Sequence, residues 1–166
     1  LKAIDEVAGA DYMAPLALVK DYDNNYDAQY DVWHGRIADQ SEMEIFVVAQ
    51  TNHVPMDVVY MNEDFDLEEL SKYRVLIYPH PEILTQEAVD LLSAYVEQGG
   101  TLILGARTGQ KDTDGHCVMK KMPGLFTPLA KSTVKEFTLV GPGDDPVYAD
   151  WNGISIDTGV FNEVLE

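Results

Sequence analysis

Four Asp, three Tyr, one Trp and one His crowd the sixteen residues 20–35, KDYDNNYDAQYDVWHG. These side chains are of the types that hold metals, sugars or partner proteins. Asp21, Asp23 and Asn25 fall at alternate positions, as in a calcium loop. An EF-hand would then need Gly at its sixth position and Glu at its twelfth, where Tyr26 and Val32 stand. Phosphate binding has only GARTG (105–109) to offer, since neither GxGxxG nor GxxxxGK[ST] occurs. A nucleophile on a sharp strand-to-helix turn would sit at the tip of YPHPEI or LGARTG, and neither tip carries Cys or Ser. Cys117, in GHCVMKKM, lies outside any such pattern. It reads either as a small buried hydrophobe or as a thiol approached by His80 or His116. The histidines (His34, His53, His80, His116) show no HxH or HExxH spacing, and His80 between two prolines reads as fixing a loop. A carboxylate pair for glycoside hydrolysis could be drawn anywhere among 29 acidic residues, so nothing singles one out.

The elements that position these residues alternate between short apolar runs and helix-period segments. LALVKDY (16–22) reads as a first strand. A helix follows from Ser41, whose spacing to Glu44 makes a capping box, with Met43, Phe46 and Val47 as its apolar stripe. MDVVYM (56–61) is the second strand, DLEELSKY a capped turn, and RVLIYP (74–79) a third strand that is apolar on both faces. Thr85 is placed to cap a helix carrying Val89, Leu92 and Val96, with Leu91 and Tyr95 beside them. Gly99-Gly100 stops it before TLILGA (101–106). PGLFTPLAKS is a short helix and KEFTLVG a further strand. Beyond Gly141 the pattern weakens, and VFNEVLE shows no clear terminal element. The recurrence predicts right-handed βαβ units in a doubly wound, mostly parallel α/β sheet. Ligand and contact sites in such sheets lie beyond the strands' carboxyl ends. That gathers the loop predicted over 20–35, HPEIL and RTGQKDTDGHC on one edge, with Arg107 and Lys111 as cations for a small ligand.

The whole chain of 166 residues suits one domain with a substantial core. Its formal charge of −18, from 11 basic residues against the acidic ones, argues against nucleic acid and anionic membranes. No apolar run is long enough to span a bilayer. The single cysteine excludes an internal disulfide and fits a reducing compartment, so the cytoplasm is expected. LKAIDEVAGADYMAP reads as a helix end with a Gly-Ala stop and then a linker, as in a segment of something longer. No cofactor is expected.

LALVKDYD, AQTNHVPMDVVY, DLEELSKYRVLIYPHPEILTQEAVDLLSAYVEQGGTLILGARTGQKD and MPGLFTPLA…FTLVGPGD together resemble the middle domain of bacterial beta-galactosidases of glycoside hydrolase family forty-two. The resemblance runs in order from about residue 14 to 145. It implies a flavodoxin-like fold similar to class I glutamine amidotransferases, without their nucleophile. It further implies residues 1–13 as the end of a preceding barrel helix and linker, and 14–166 as a trimerisation domain whose family boundary lies further on. The catalytic glutamates of a retaining galactosidase would belong to the barrel, so no catalytic or metal residue is carried over. Partners would be two more copies and the barrel, with galactoside bound only in the full enzyme. On this reading Tyr26, Tyr30, Trp33 and His34 pack against a neighbouring subunit or the barrel rim. The alternative is that Tyr30 and Trp33 seal the domain's own core. A Cys117 hydrolase and a small-ligand module remain as other readings.

Overall fold

The computed structural model describes residues 5, 7–31, 37–62 and 65–166. Four parallel strands, β1 (Leu16–Lys20), β2 (Met56–Tyr60), β3 (Val75–Tyr78) and β4 (Thr101–Leu104), lie in the order β2-β1-β3-β4. The registers are in step: Leu16 sits opposite both Met56 and Val75, and Val75 opposite Thr101. The order reverses direction at β1, so helices must cover both faces, as the doubly wound pattern requires.

One face carries the main core. Ala17, Val19, Leu76 and Tyr78 pack there against Val89, Leu92 and Tyr95 of α4 (Gln86–Glu97), Leu70 of α3 (Leu67–Leu70) and Phe126. The predicted caps are in place. Thr85 Oγ1 accepts from the Ala88 N–H and Asp66 Oδ1 from the Glu69 N–H, each satisfying an orphan donor of the first turn. The other face is thinner, with Leu18, Ala49 and Met56 clustered beside Ile45 and Ile77 under α2 (Ile37–Thr51).

Three sequence expectations are corrected here. Residues 22–30 are not loop but helix α1 (Tyr22–Tyr30). Asp21 caps it, accepting from the Asp23 and Asn24 N–H groups, and Asn24 and Ala28 are buried. Helix α2 begins four residues before the proposed Ser41 cap, so Ser41 lies inside it and no capping box forms. Its predicted apolar stripe, Met43, Phe46 and Val47, faces outward. The buried side is Ile37, Ala38, Glu42 and Ala49, because small residues let the helix sit close and Glu42 finds Lys20 at 2.6 Å.

The C-terminal third also holds more structure than expected. After a 3₁₀ turn (Gly124–Phe126) and α5 (Thr127–Ala130), β5 (Val134–Leu139) pairs antiparallel with β8 (Phe161–Leu165), so the chain does end on a regular element. Between them β6 (Tyr148–Trp151) and β7 (Ile154–Asp157) form a hairpin. Its two-residue loop is Asn152-Gly153, both at positive φ, as a type I′ turn demands. No helix of the described residues is long and apolar enough to cross a membrane.

Candidate functional site

The turn after β4 reads Gly105-Ala106-Arg107-Thr108-Gly109, a G-x-R-x-G elbow with Arg107 at its tip and φ +67°. Its glycines are required by close approach. A Cβ on Gly105 would come within 2.9 Å of the His80 backbone nitrogen, and one on Gly109, itself at φ +67°, within 2.6 Å of the Pro123 carbonyl. A sharp, strained elbow of this kind is where α/β hydrolases expose a nucleophile. Here the tip carries a guanidinium, which has no lone pair to attack with and stays charged.

The guanidinium is buried and held through Nη1 and Nε. Nη1 donates to Asp31 Oδ2 at 2.6 Å and lies 2.8 Å from Glu82 Oε1, while Nε donates to Gln110 Oε1 at 2.7 Å. Its Cζ stands 5.8 Å over the Phe161 ring, and the Arg107 backbone N–H donates to Glu163 Oε1 at 2.7 Å. Lys111 Nζ joins Asp27 and lies 3.1 Å from Glu82 Oε2, an ion pair rather than an aligned hydrogen bond. Two cations from one of the three stretches predicted to share this edge thus meet three carboxylates from the other two. Burial pushes the Glu82 carboxyl up against the pull of Arg107 and Lys111. For Lys111, burial alone would lower the ammonium, but the Asp27 hydrogen bond and the Glu82 charge together hold it above its ordinary value. Neither cation is open to a small ligand.

Helix α1 is tied to the same edge. Asn24 Nδ2 donates to the Ile83 carbonyl at 3.0 Å, and Asn24 Oδ1 accepts from the Ile83 N–H at 2.7 Å. The Tyr78 hydroxyl donates to Asp21 Oδ2 at 2.9 Å. Burial, then the Asp21 carboxylate, pushes that phenol well above its ordinary range, so it remains a donor. His80 fixes the loop, as its position between prolines suggested. Nδ1 donates to the Ala106 carbonyl at 2.9 Å, leaving Nε2 to accept from Ser41 Oγ at 2.8 Å, and burial holds the ring below its ordinary pKa and neutral.

Cys117 is exposed, not the buried hydrophobe expected, because it sits in a loop bridged only to Lys111. His80, with both ring nitrogens occupied, does not serve it. Asp112, Asp114 and His116 bring ligand atoms within 4.8 Å of one another. Asp112 Oδ1 already accepts from the backbone N–H groups of the other two, which makes this an exposed turn.

Of the four predicted contact residues, Trp33 and His34 lie outside the described residues. Tyr26 is 59% and Tyr30 81% exposed, so Tyr30 does not seal the core. Tyr22 stacks on Tyr60 (5.1 Å between centroids) and Tyr26 on Tyr22 (6.2 Å), forming an aromatic row on the outer side of α1. Missed from sequence were the ion-pair partners Asp27, Asp31 and Glu82, and an exposed apolar arm, the β6–β7 hairpin with Trp151 at its end.

The family described as Beta-galactosidase trimerisation domain matches residues 14–166. The beta-galactosidase BgaA of Clostridium cellulovorans is 39% identical over 74 residues, 45% of this chain. The beta-galactosidase Bga of Halorubrum lacusprofundi is 30% identical over 130 residues, 74% of it. The chain spans only 11% and 17% of the length of these two curated relatives. Among solved structures, the beta-galactosidase from Bacillus circulans sp. alkalophilus superposes with a TM-score of 0.84 at 20% identity, over 100% of this chain and 25% of that one. The polyextremophilic enzyme from Halorubrum lacusprofundi gives 0.72 at 25% identity, over 98% and 24%. The sheet order and the helices on both faces are those of the middle domain of such enzymes, a class I glutamine amidotransferase-like fold.

Proposed function

The chain belongs to the beta-galactosidase trimerisation domain family, and on that basis we propose that it is the homotrimer-forming module of a retaining beta-galactosidase. The match over residues 14–166 carries this reading. The elbow supports its non-catalytic part, since the position where related folds keep a nucleophile holds a neutralised arginine. Chemistry on terminal galactosides then belongs to a barrel in the parent chain, with residues 1–13 as the crossover from it, in the cytoplasm. The row of Tyr22, Tyr26 and Tyr30 is a surface for the barrel rim or the cleft wall. It is aromatic, half or more exposed, and on the carboxyl edge of the sheet.

Light scattering coupled to gel filtration tests the proposal. With −18 on every copy, like-charge repulsion opposes assembly and salt screens it. A particle of three chains, favoured as ionic strength rises, is the expected result. One chain per particle at every concentration and salt level would refute trimer formation by this chain.

A further inference from the structure

His80 stands two residues beyond β3, beside the point where the sheet order reverses, the crevice in which such sheets keep their ligands. Its backbone is left-handed at φ +48°, an uncommon conformation for a residue with a side chain, and Pro79 and Pro81 flank it. Strain of this kind persists where the surroundings fix it, and it gathers at functional sites. The ring rests against Gly105, where a Cβ would come within 3.2 Å of Nδ1 and 2.9 Å of the His80 backbone nitrogen. The Ala106 carbonyl can only accept, so Nδ1 carries the proton and Nε2 offers its lone pair to the Ser41 hydroxyl at 2.8 Å. A serine inside a helix ordinarily turns back on the carbonyl one turn earlier; this one, within α2, reaches the imidazole. Both residues are partly exposed.

A hydroxyl within hydrogen-bond reach of a neutral base, itself oriented by a third group, is the arrangement that activates a nucleophile. We propose that Ser41 accepts the acyl group of a small activated ester, with His80 as its general base and the Ala106 carbonyl orienting the ring. This is chemistry apart from galactoside hydrolysis and does not depend on the trimerisation reading. The nucleophile comes from a helix rather than from the elbow, whose tip is Arg107. Ser41 Oγ bonds to the ester's carbonyl carbon while its proton passes to His80 Nε2. The carbon–oxygen bond to the leaving group then breaks, the electron pair departs with the aryl oxide, and Nε2 gives the proton to it. The ring stays a base at neutral pH. Burial lowers it most, the Ala106 carbonyl raises it, Arg107 from the turn after β4 lowers it and Glu42 of α2 raises it, leaving it below its ordinary 6.5.

The test mixes nitrophenyl acetate with the 166-residue chain, times the modification and locates it by peptide mass spectrometry. The expected product is an acetyl group on Ser41, added at a constant rate from pH 7 to 9 because His80 is neutral throughout that range. Ser41→Ala abolishes it. His80→Gln, checked for folding by circular dichroism, slows it about 100-fold, the share ordinarily supplied by a positioned base. An unmodified Ser41 in the folded wild-type chain overturns the proposal, and so does an unchanged rate in His80→Gln. Should that variant unfold, the wild-type profile decides alone. A rate climbing about tenfold per pH unit between pH 7 and 9 is the mark of an unassisted serine alkoxide, and it too overturns the assignment.

Discussion

The carboxyl edge of the parallel sheet and the C-terminal antiparallel strands sit at opposite extremes of self-sufficiency. At the edge, Asp27 and Asp31 from α1 and its end, Glu82 from the loop after β3, and Arg107 and Lys111 from the turn after β4 answer one another's charges. Beneath it, the apolar residues of β1, β3 and α4 are buried against each other. In the antiparallel strands, by contrast, Phe137, Trp151, Ile154 and Leu165 remain more than half exposed. The first region is finished by its own side chains, and the second leaves apolar side chains uncovered.

Removing the cation from the finished region should have the largest effect. Arg107→Met removes the guanidinium that Asp31 and Glu82 share, and breaking a buried ion pair by deleting one partner costs about 3–5 kcal/mol. Urea denaturation should show a loss of that size. A loss below about 1 kcal/mol would mean that the edge is solvated like an ordinary surface.

The comparison sharpens if one kind of truncation is made in both regions. Leu92→Ala, in the main core, should cost about 2–5 kcal/mol. Ile154→Ala, on the hairpin, should stay within about 0.5 kcal/mol when measured at dilutions where the chain is monomeric. Equal losses would show that the hairpin packs on its own domain after all.

Gly109→Ala tests the elbow, the joint between the regions. The added methyl meets the Pro123 carbonyl at 2.6 Å, and the backbone is left-handed, so about 1–3 kcal/mol should be lost in the same urea assay. A neutral result would deny that the elbow is held tight.

The parallel half was legible in the sequence because its strands and helices repeat a period, and α3 and α4 carry readable caps at Asp66 and Thr85. Helix α1 was not, since four Asp and two Asn in a short run mimic a loop. What makes it a helix is the long-range clamp of Asn24 on Ile83 and the burial of Ala28. Tyr22, Tyr26 and Tyr30, four apart, were the signal that could have found it. In α2 the apolar stripe is real and faces outward, because periodicity reveals a face without saying what covers it. The hairpin was announced by Asn152-Gly153, which ordinarily marks a two-residue turn. The meeting of Arg107 with Asp31 and Glu82 had no local signature, because the three partners lie far apart along the chain.

The smallest effect expected is a pH dependence seated in the finished region. Burial keeps His80 neutral in the fold, below its ordinary value of 6.5, with Ser41 donating to Nε2. As pH falls through 6.5 the unfolded chain takes up a proton that the folded chain refuses, so this residue's contribution to stability is present above that pH and declines below it. Burial also raises Glu82 and Glu163, and those carboxyls act in the opposite sense, favouring the fold as pH falls toward and below their raised values. Substituting His80 separates the two effects, because the carboxyls are common to both proteins. Urea midpoints should therefore fall between pH 7.5 and 5.5 in wild type and change less in His80→Gln. If both proteins show the same slope, His80 titrates alike in the folded and unfolded chain and the Ser41–His80–Ala106 chain is not the neutral clamp described.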